Sequence, residues 1–202
     1  FVNQLKMQET YTENGKPMKG IEAYLPRDIY ECDKHHIAVA NDIMKSREKL
    51  SKNGKFHAML ATKNIPEAIA YYRLFRKYHP SVNVVAVFDS NIDNSDGGIV
   101  REDAIKEMLT DYNAKYGTNY QLANYAKYKK DVAKRLAHKK PYIGIENDHS
   151  QQIDLLIVVT QMLTGYDSKW INTLYVDKVM KYVDIIQAFS RTNRLFGADK
   201  PF

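Results

Sequence analysis

An α/β domain with a mostly parallel central sheet flanked by helices is the fold class this sequence predicts, on three observations. Short, predominantly apolar runs at 55–61, 83–89 and 153–159 have the length and density of strands covered on both faces. A helical pattern with short connections separates the first two runs, which makes a right-handed β-α-β unit and so a parallel arrangement. Hydrophobic residues make up 44% of a 202-residue chain, enough core for one domain, or one domain with an elaboration.

Residues 1–32 carry Gly15, Pro17, Gly20 and Pro26 with no sustained period. They read as an irregular lead-in segment or linker. The chain opens on Phe1 rather than Met, which suggests a fragment of something longer. A helix is expected over 33–50, with Asp33 as cap and Ile37, Ala40, Ile43, Met44 and Leu50 as its apolar side. Cys32, His35 and His36 crowd together there, but no second cluster completes a coordination sphere, so no metal site is expected. After the break at 51–54 comes the first core strand. The next helix starts on a capping Asn64, with Pro66 in its first turn and Glu67 three residues beyond the cap, and runs to Tyr78.

The second strand leads into a polar, Gly-rich loop over 90–98. Two helical patterns follow, at 100–116 and 121–139. The second aligns Leu122, Tyr125, Val132 and Leu136, and Lys129 interrupts that side, its stem laid along the surface. The pair interrupts a sheet that resumes at Ile153, so 99–140 reads as a helical insertion packed on the rim of a domain spanning 33–202. The third strand, a loop over 160–167, a fourth strand at 174–177 and a helix over 183–194 complete the chain.

Composition excludes several classes. A lone Cys32 cannot form an intramolecular disulfide and suits a reducing compartment. No run approaches the roughly 18 apolar residues of a membrane span, and the start does not resemble a signal peptide, so a cytoplasmic location is expected. The net charge of +6 is local. Residues 115–140 hold eight Lys or Arg against one Asp, which leaves the remainder near neutral. A basic stripe interleaved with tyrosines suits a polyanionic partner.

On the last helix Gln187, Arg191 and Arg194 stand at i, i+4 and i+7 and share one face, with Tyr182, Ile185, Ile186 and Phe189 opposite, toward the sheet. An amide and two guanidiniums on one edge suit an anion, because Arg makes forked hydrogen bonds to phosphate oxygens. These residues carry a resemblance. The stretch Val159-Thr160…Gly165-Tyr166-Asp167 resembles motif V of superfamily 2 nucleic-acid motors, and Gln187-x-x-Ser190-Arg191-x-x-Arg194 resembles motif VI. Gln-Ala-Phe-Ser-Arg-Thr-Asn-Arg, with Ser190 where most of the superfamily has Gly, is similar to the motor (R) subunit of type I restriction–modification enzymes, and residues 56–62 correspond to motif IV.

The resemblance implies a RecA-like three-layer domain acting as the second of two motor lobes, with nucleotide in the cleft between them. It implies that Arg194 is the arginine finger on the γ-phosphate with Arg191 beside it. Gln187 would help hold the triphosphate, Gly165 and Asp167 would line the nucleotide side, and Thr160 would face the DNA. Thr62 and Lys63, at the carboxyl end of the motif IV strand, would contact DNA phosphate. ATP and Mg2+ belong to the complete enzyme, because neither a phosphate-cradling loop nor a magnesium carboxylate is present here; Gly54-Lys55-Phe56 is the nearest approach.

The implied partners are double-stranded DNA, a first motor lobe and nuclease domain of the same chain, and the modification and specificity subunits. Asp167-Ser168-Lys169 is the one carboxylate-x-Lys triplet and sits inside motif V, so nuclease chemistry is expected elsewhere in the parent. This fragment alone is expected to be inactive. Two further readings are a superfamily 2 translocase or helicase without nuclease, and a non-catalytic DNA-binding module; loss of a motif VI Arg would favour the latter, and both are present.

Overall fold

The computed structural model describes residues 10–24, 30, 32–88, 98–159, 168–178, 186, 190 and 196. By its contacts the chain divides into Phe1–Ala38 and Val39–Phe202. The first unit holds an antiparallel hairpin of β1 (Thr10–Glu13) and β2 (Lys16–Lys19), not the irregular segment expected. Asn14 (φ 54) and Gly15 (φ 78) make its two-residue turn; both torsions are left-handed, as a tight hairpin requires.

In the second unit β3 (His57–Thr62), β4 (Val84–Val87), β5 (Leu155–Val159) and β6 (Ile171–Asp177) form one sheet in the order β4-β5-β3-β6. All three pairings are parallel. β5 therefore lies between the two strands of the expected β-α-β unit. Every residue of β3 and β4, and all but the last of β5, is buried, whereas β6 is mostly half-exposed. Three strands are thus covered on both faces, which is the condition of a parallel sheet layered between helices and is consistent with a RecA-like fold.

The helices are α1 (Asp33–Leu50), α2 (Ile65–Tyr78), α3 (Gly98–Tyr116) and α4 (Tyr125–Leu136). The start of α2 follows the sequence signal closely: Asn64 is extended, and its side chain accepts from Glu67 N at 2.9 Å. Buried Ala68, Ile69, Tyr71, Tyr72 and Phe75 then face the sheet. Burial of a side chain such as Phe75 contributes roughly 1.5–3 kcal/mol. On α1, Ala40 and Ile43 are buried but Ile37 and Leu50 are exposed, because the inward stripe continues to Arg47 instead.

That Arg47 meets Asp154, which ties together the amino-terminal end of the sheet. Asp154 is 5% exposed; its Oδ1 pairs with Arg47 Nη2 at 2.7 Å and its Oδ2 accepts from Asn83 N at 2.8 Å. Its carbonyl accepts from Ala58 N at 3.0 Å. One residue thus joins α1 to the approaches of β3 and β4. Asp154→Asn is expected to cost about 2–3 kcal/mol, since it strips the charge from a buried pair. A urea midpoint within experimental error of wild type would show that the pair contributes nothing.

The helices α3 and α4 are part of the main core rather than additions on its rim. Ile105, Met108, Leu109, Tyr112, Tyr125, Tyr128, Val132 and Leu136 all belong to the one buried cluster. Tyr125 Oη donates to Phe88 O at 3.0 Å and accepts from Phe88 N at 3.2 Å, and Tyr128 Oη donates to Ala86 O at 2.9 Å. Lys129 lies as expected, half-buried, with Nζ 5.7 Å from the Tyr125 ring centre.

Arg135 is 1% exposed. Its guanidinium sits 3.9 Å from the ring centre of Tyr116 and 4.1 Å from that of Tyr142. It donates from Nη1 to Gln151 O (2.7 Å) and Gln151 Oε1 (3.1 Å), and from Nε to Tyr112 Oη (3.2 Å).

Candidate functional site

The carboxyl end of the sheet brings the described candidates together. Register aligns Thr62 with Val159 on one side and Asp177 on the other, so three strands end level. Thr62 is fully buried, and its hydroxyl is shared between Val158 O and Asn64 O, at 3.3 Å each. Lys63 is exposed, while its backbone N donates to Glu67 Oε2 at 3.0 Å. Thr62 and Glu67 thereby pin the turn on which the Lys63 side chain stands, at the opening of α2.

At the third strand end, the hydroxyl of Tyr71 donates to Asp177 Oδ2. Burial first, and then that carboxylate, push the Tyr71 hydroxyl far above the ordinary tyrosine range, so it remains a donor.

Among the other candidates, Thr160, Gly165, Asp167, Gln187, Arg191 and Arg194 lie outside the described residues. Ile186 and Ser190, four residues apart, are both helical and exposed. Ile186 is 55% exposed and does not pack on the sheet as its apolar side chain suggested.

Beyond the motif, Phe196 lies 5.6 Å from the ring centre of Phe56 and 4.5 Å from that of Trp170. The ammonium groups of Lys169 and Lys55 stand 4.7 and 5.5 Å from its own centre. Trp170 stacks in turn on His138, with centres 3.9 Å apart and planes 12° from parallel.

His138 belongs to a polar relay that sequence reasoning did not find. His57 Nε2 is 2.8 Å from His138 Nε2, and His138 Nδ1 is 2.9 Å from Glu146 Oε2. The carboxylate accepts from Nδ1–H, so a neutral His138 presents a bare Nε2 to the Nε2–H of His57. His57 and His138 stand 81 positions apart, and no local spacing could have joined them.

Burial chiefly, with His138 beside it, pushes His57 from 6.5 down to about 3. Between those values the unfolded chain binds a proton that the folded chain refuses. Stability therefore falls as pH falls through this window, with a slope approaching about 1.4 kcal/mol per pH unit from this group. His57→Gln is expected to remove most of that slope between about pH 6 and about pH 4, read from urea midpoints. An unchanged slope would place the acid-sensitive group elsewhere. Among the described residues no three His, Cys, Asp or Glu side chains converge as metal ligands, and no helix is long and apolar enough to cross a membrane.

Comparison with known proteins adds the family. The model described as type I restriction enzyme subunit R domain 3 matches residues 54–202. The chain is 31% identical over 210 residues to the endonuclease subunit of the type I restriction enzyme SauMRSORF196P of Staphylococcus aureus (strain MRSA252), covering 100% of this chain and 21% of the relative. It is 33% identical over 211 residues to the corresponding SsaAORF53P subunit of Staphylococcus saprophyticus, covering 100% of this chain and 22% of the relative. A segment of 40 residues is 58% identical to a putative type I restriction enzyme MpnIIP endonuclease subunit N-terminal part of Mycoplasma pneumoniae, covering 20% and 11%. The chain spans about a fifth of the length of the first two relatives. With most of its residues matched by the family model and aligned along their full length to such subunits, this chain belongs to the type I restriction enzyme R-subunit family, in its domain 3.

Proposed function

We propose that this chain is the second motor lobe of a type I restriction enzyme's R subunit, closing over a nucleotide held mainly by another lobe. One observation carries the reading: Gln187, Arg191 and Arg194 recur at i, i+4 and i+7 within a segment that the family model matches. Arg191 and Arg194 stabilise negative charge across the lobe boundary, with Arg194 as the finger; Gln187 binds the triphosphate, and Gly165 and Asp167 line its cleft. ATP with Mg2+ supplies the free energy when bound.

On this reading Lys63 and Thr160 contact the DNA backbone. Thr62 is the residue that holds the turn beneath Lys63, since its hydroxyl is committed to Val158 and Asn64. The complete protein then moves duplex DNA at the expense of ATP, in company with modification and specificity subunits, and the nuclease site lies outside this stretch. A charge that engages only on closure links hydrolysis to movement, because the open and closed forms bind the track differently. The test is DNA-stimulated ATP hydrolysis by the complete protein with Arg191 and Arg194 both changed to Ala. Turnover equal to wild type overturns the reading.

A further inference from the structure

Among the described residues, a strongly charged surface that the motor reading leaves unused is the outer face of α4. Lys127, Lys130 and Lys134 stand at i, i+3 and i+7 and are all exposed, so their ammonium groups line one side of the helix. The opposite side is the buried one, formed by Tyr125, Tyr128, Val132 and Leu136. The helix's one acid does not neutralise this face. Asp131 accepts from Tyr112 Oη at 2.6 Å and from the hydroxyl of Tyr142, so its charge is drawn toward the tyrosines. Lys139 and Lys140 are exposed just beyond the helix. None of these five lysines is ion-paired among the described residues.

Like charges at these spacings oppose helix formation, and the helix holds them through its packed tyrosine side. We infer that the lysine face of α4 is a contact surface for the phosphate backbone of duplex DNA, separate from Lys63 at the carboxyl end of the sheet. The inference rests on the motor-lobe reading and extends it to a second grip on the track. Seven residues of helix advance about 10 Å, which matches about three base-pair steps of duplex axis at roughly 3.4 Å each. Lys supplies a point charge on a flexible stem, the form of contact that positions a protein on DNA without reading bases. A protein partner is the poorer fit, because between the lysines the face offers only Ala126 and Ala133 and none of the aromatic anchors on which such interfaces depend.

The grip is also tied to the motor segment. Ser168 Oγ, in the Asp167-Ser168-Lys169 triplet of the stretch that resembles motif V, donates to Leu136 O at 2.6 Å at the end of α4.

The experiment measures binding of the complete protein, without nucleotide, to a mixed-sequence duplex across a range of KCl concentrations. Each neutralised phosphate contributes about 0.9 to the slope of log K against log salt, so Lys127→Gln/Lys130→Gln/Lys134→Gln is expected to lower the slope's magnitude by about 2.7. The corresponding triple Arg variant should restore it, and the Tm should not move, since all three side chains are exposed. A slope unchanged from wild type overturns the inference while leaving the motor-lobe reading intact. So does an unchanged slope accompanied by loss of an acidic partner subunit, which would make the face a protein contact. A wild-type protein that fails to bind duplex DNA overturns both.

Discussion

Arg194→Ala in the complete protein is expected to keep ATP binding near normal and to lose about 10³- to 10⁵-fold in DNA-stimulated turnover. On the motor-lobe reading the ground-state contacts to nucleotide come chiefly from the other lobe, so affinity survives. The guanidinium acts when negative charge spreads over the transferring phosphoryl group, and its removal is felt at that moment alone. Arg194→Lys should recover little, because one ammonium cannot reproduce a planar fork against phosphate oxygens. On the same reading this side chain serves the other lobe and contributes little to folding, so the Tm of both variants should match wild type. The measurement pairs ATP affinity with turnover in the same preparation. Near-normal hydrolysis by either variant moves the finger to Arg191.

Arg135→Ala is expected to lose about 4 kcal/mol of stability, with no partner molecule involved. The guanidinium lies between the rings of Tyr116 and Tyr142 and makes three hydrogen bonds while 1% exposed. A desolvated cation–π contact contributes up to about 2 kcal/mol, and hydrogen bonds from a charged group about 1.5–3 kcal/mol. The cation is balanced at one remove: Tyr112 and Tyr142 meet it with their rings or oxygens while their hydroxyls donate to Asp131. Arg135→Lys keeps the charge but neither the plane nor the fork, and should recover less than half of the loss. Urea unfolding at constant slope gives the number. A loss below about 1 kcal/mol would mean that the cluster closes without the guanidinium.

What the sequence made legible, and what it hid, follows from the range over which each signal acts. α2 was legible to the residue because Asn64, Pro66 and Glu67 act on backbone groups within one turn of themselves. The covered strands were legible because a strand buried on both faces needs a predominantly apolar run. The hairpin at Thr10–Lys19 was missed although Asn14-Gly15 is a strong turn signal, because its strands are too polar to show alternation. β6 begins at Ile171, three residues earlier than expected, since a mostly half-exposed strand mixes polar residues into its pattern. α4 stops at Leu136 instead of 139, and His138 takes a left-handed φ of 49° that no propensity announced. The position of β5 between β3 and β4 is a long-range choice that local spacing does not encode.

The candidate site divides the same way. The stretches that resemble motifs V and VI were legible because, on the motor-lobe reading, chemistry at a phosphate fixes residue types at short spacing, whereas most of their side chains lie outside the described residues. Thr62 shows the opposite limit. Its place at a strand end was legible, but the burial that makes its hydroxyl a structural tie was not, since burial belongs to the fold as a whole.

The hydroxyls of Tyr125 and Tyr128 on β4 have a consequence beyond packing. Among the described residues β4 is hydrogen-bonded to one strand only, so its outer side would present bare amide and carbonyl groups to any passing chain. Such groups are a template for intermolecular pairing, and long proteins meet that hazard while their later parts are still being made. The phenol of Tyr125 fills both the donor and the acceptor of Phe88, and that of Tyr128 fills the carbonyl of Ala86. Each does locally what a neighbouring strand would do, but a phenol ends the ladder, for it has no next residue to offer. The carboxyl end of this border is thereby capped against strand exchange between copies, and the protection comes from the same two side chains that seat α4 in the core.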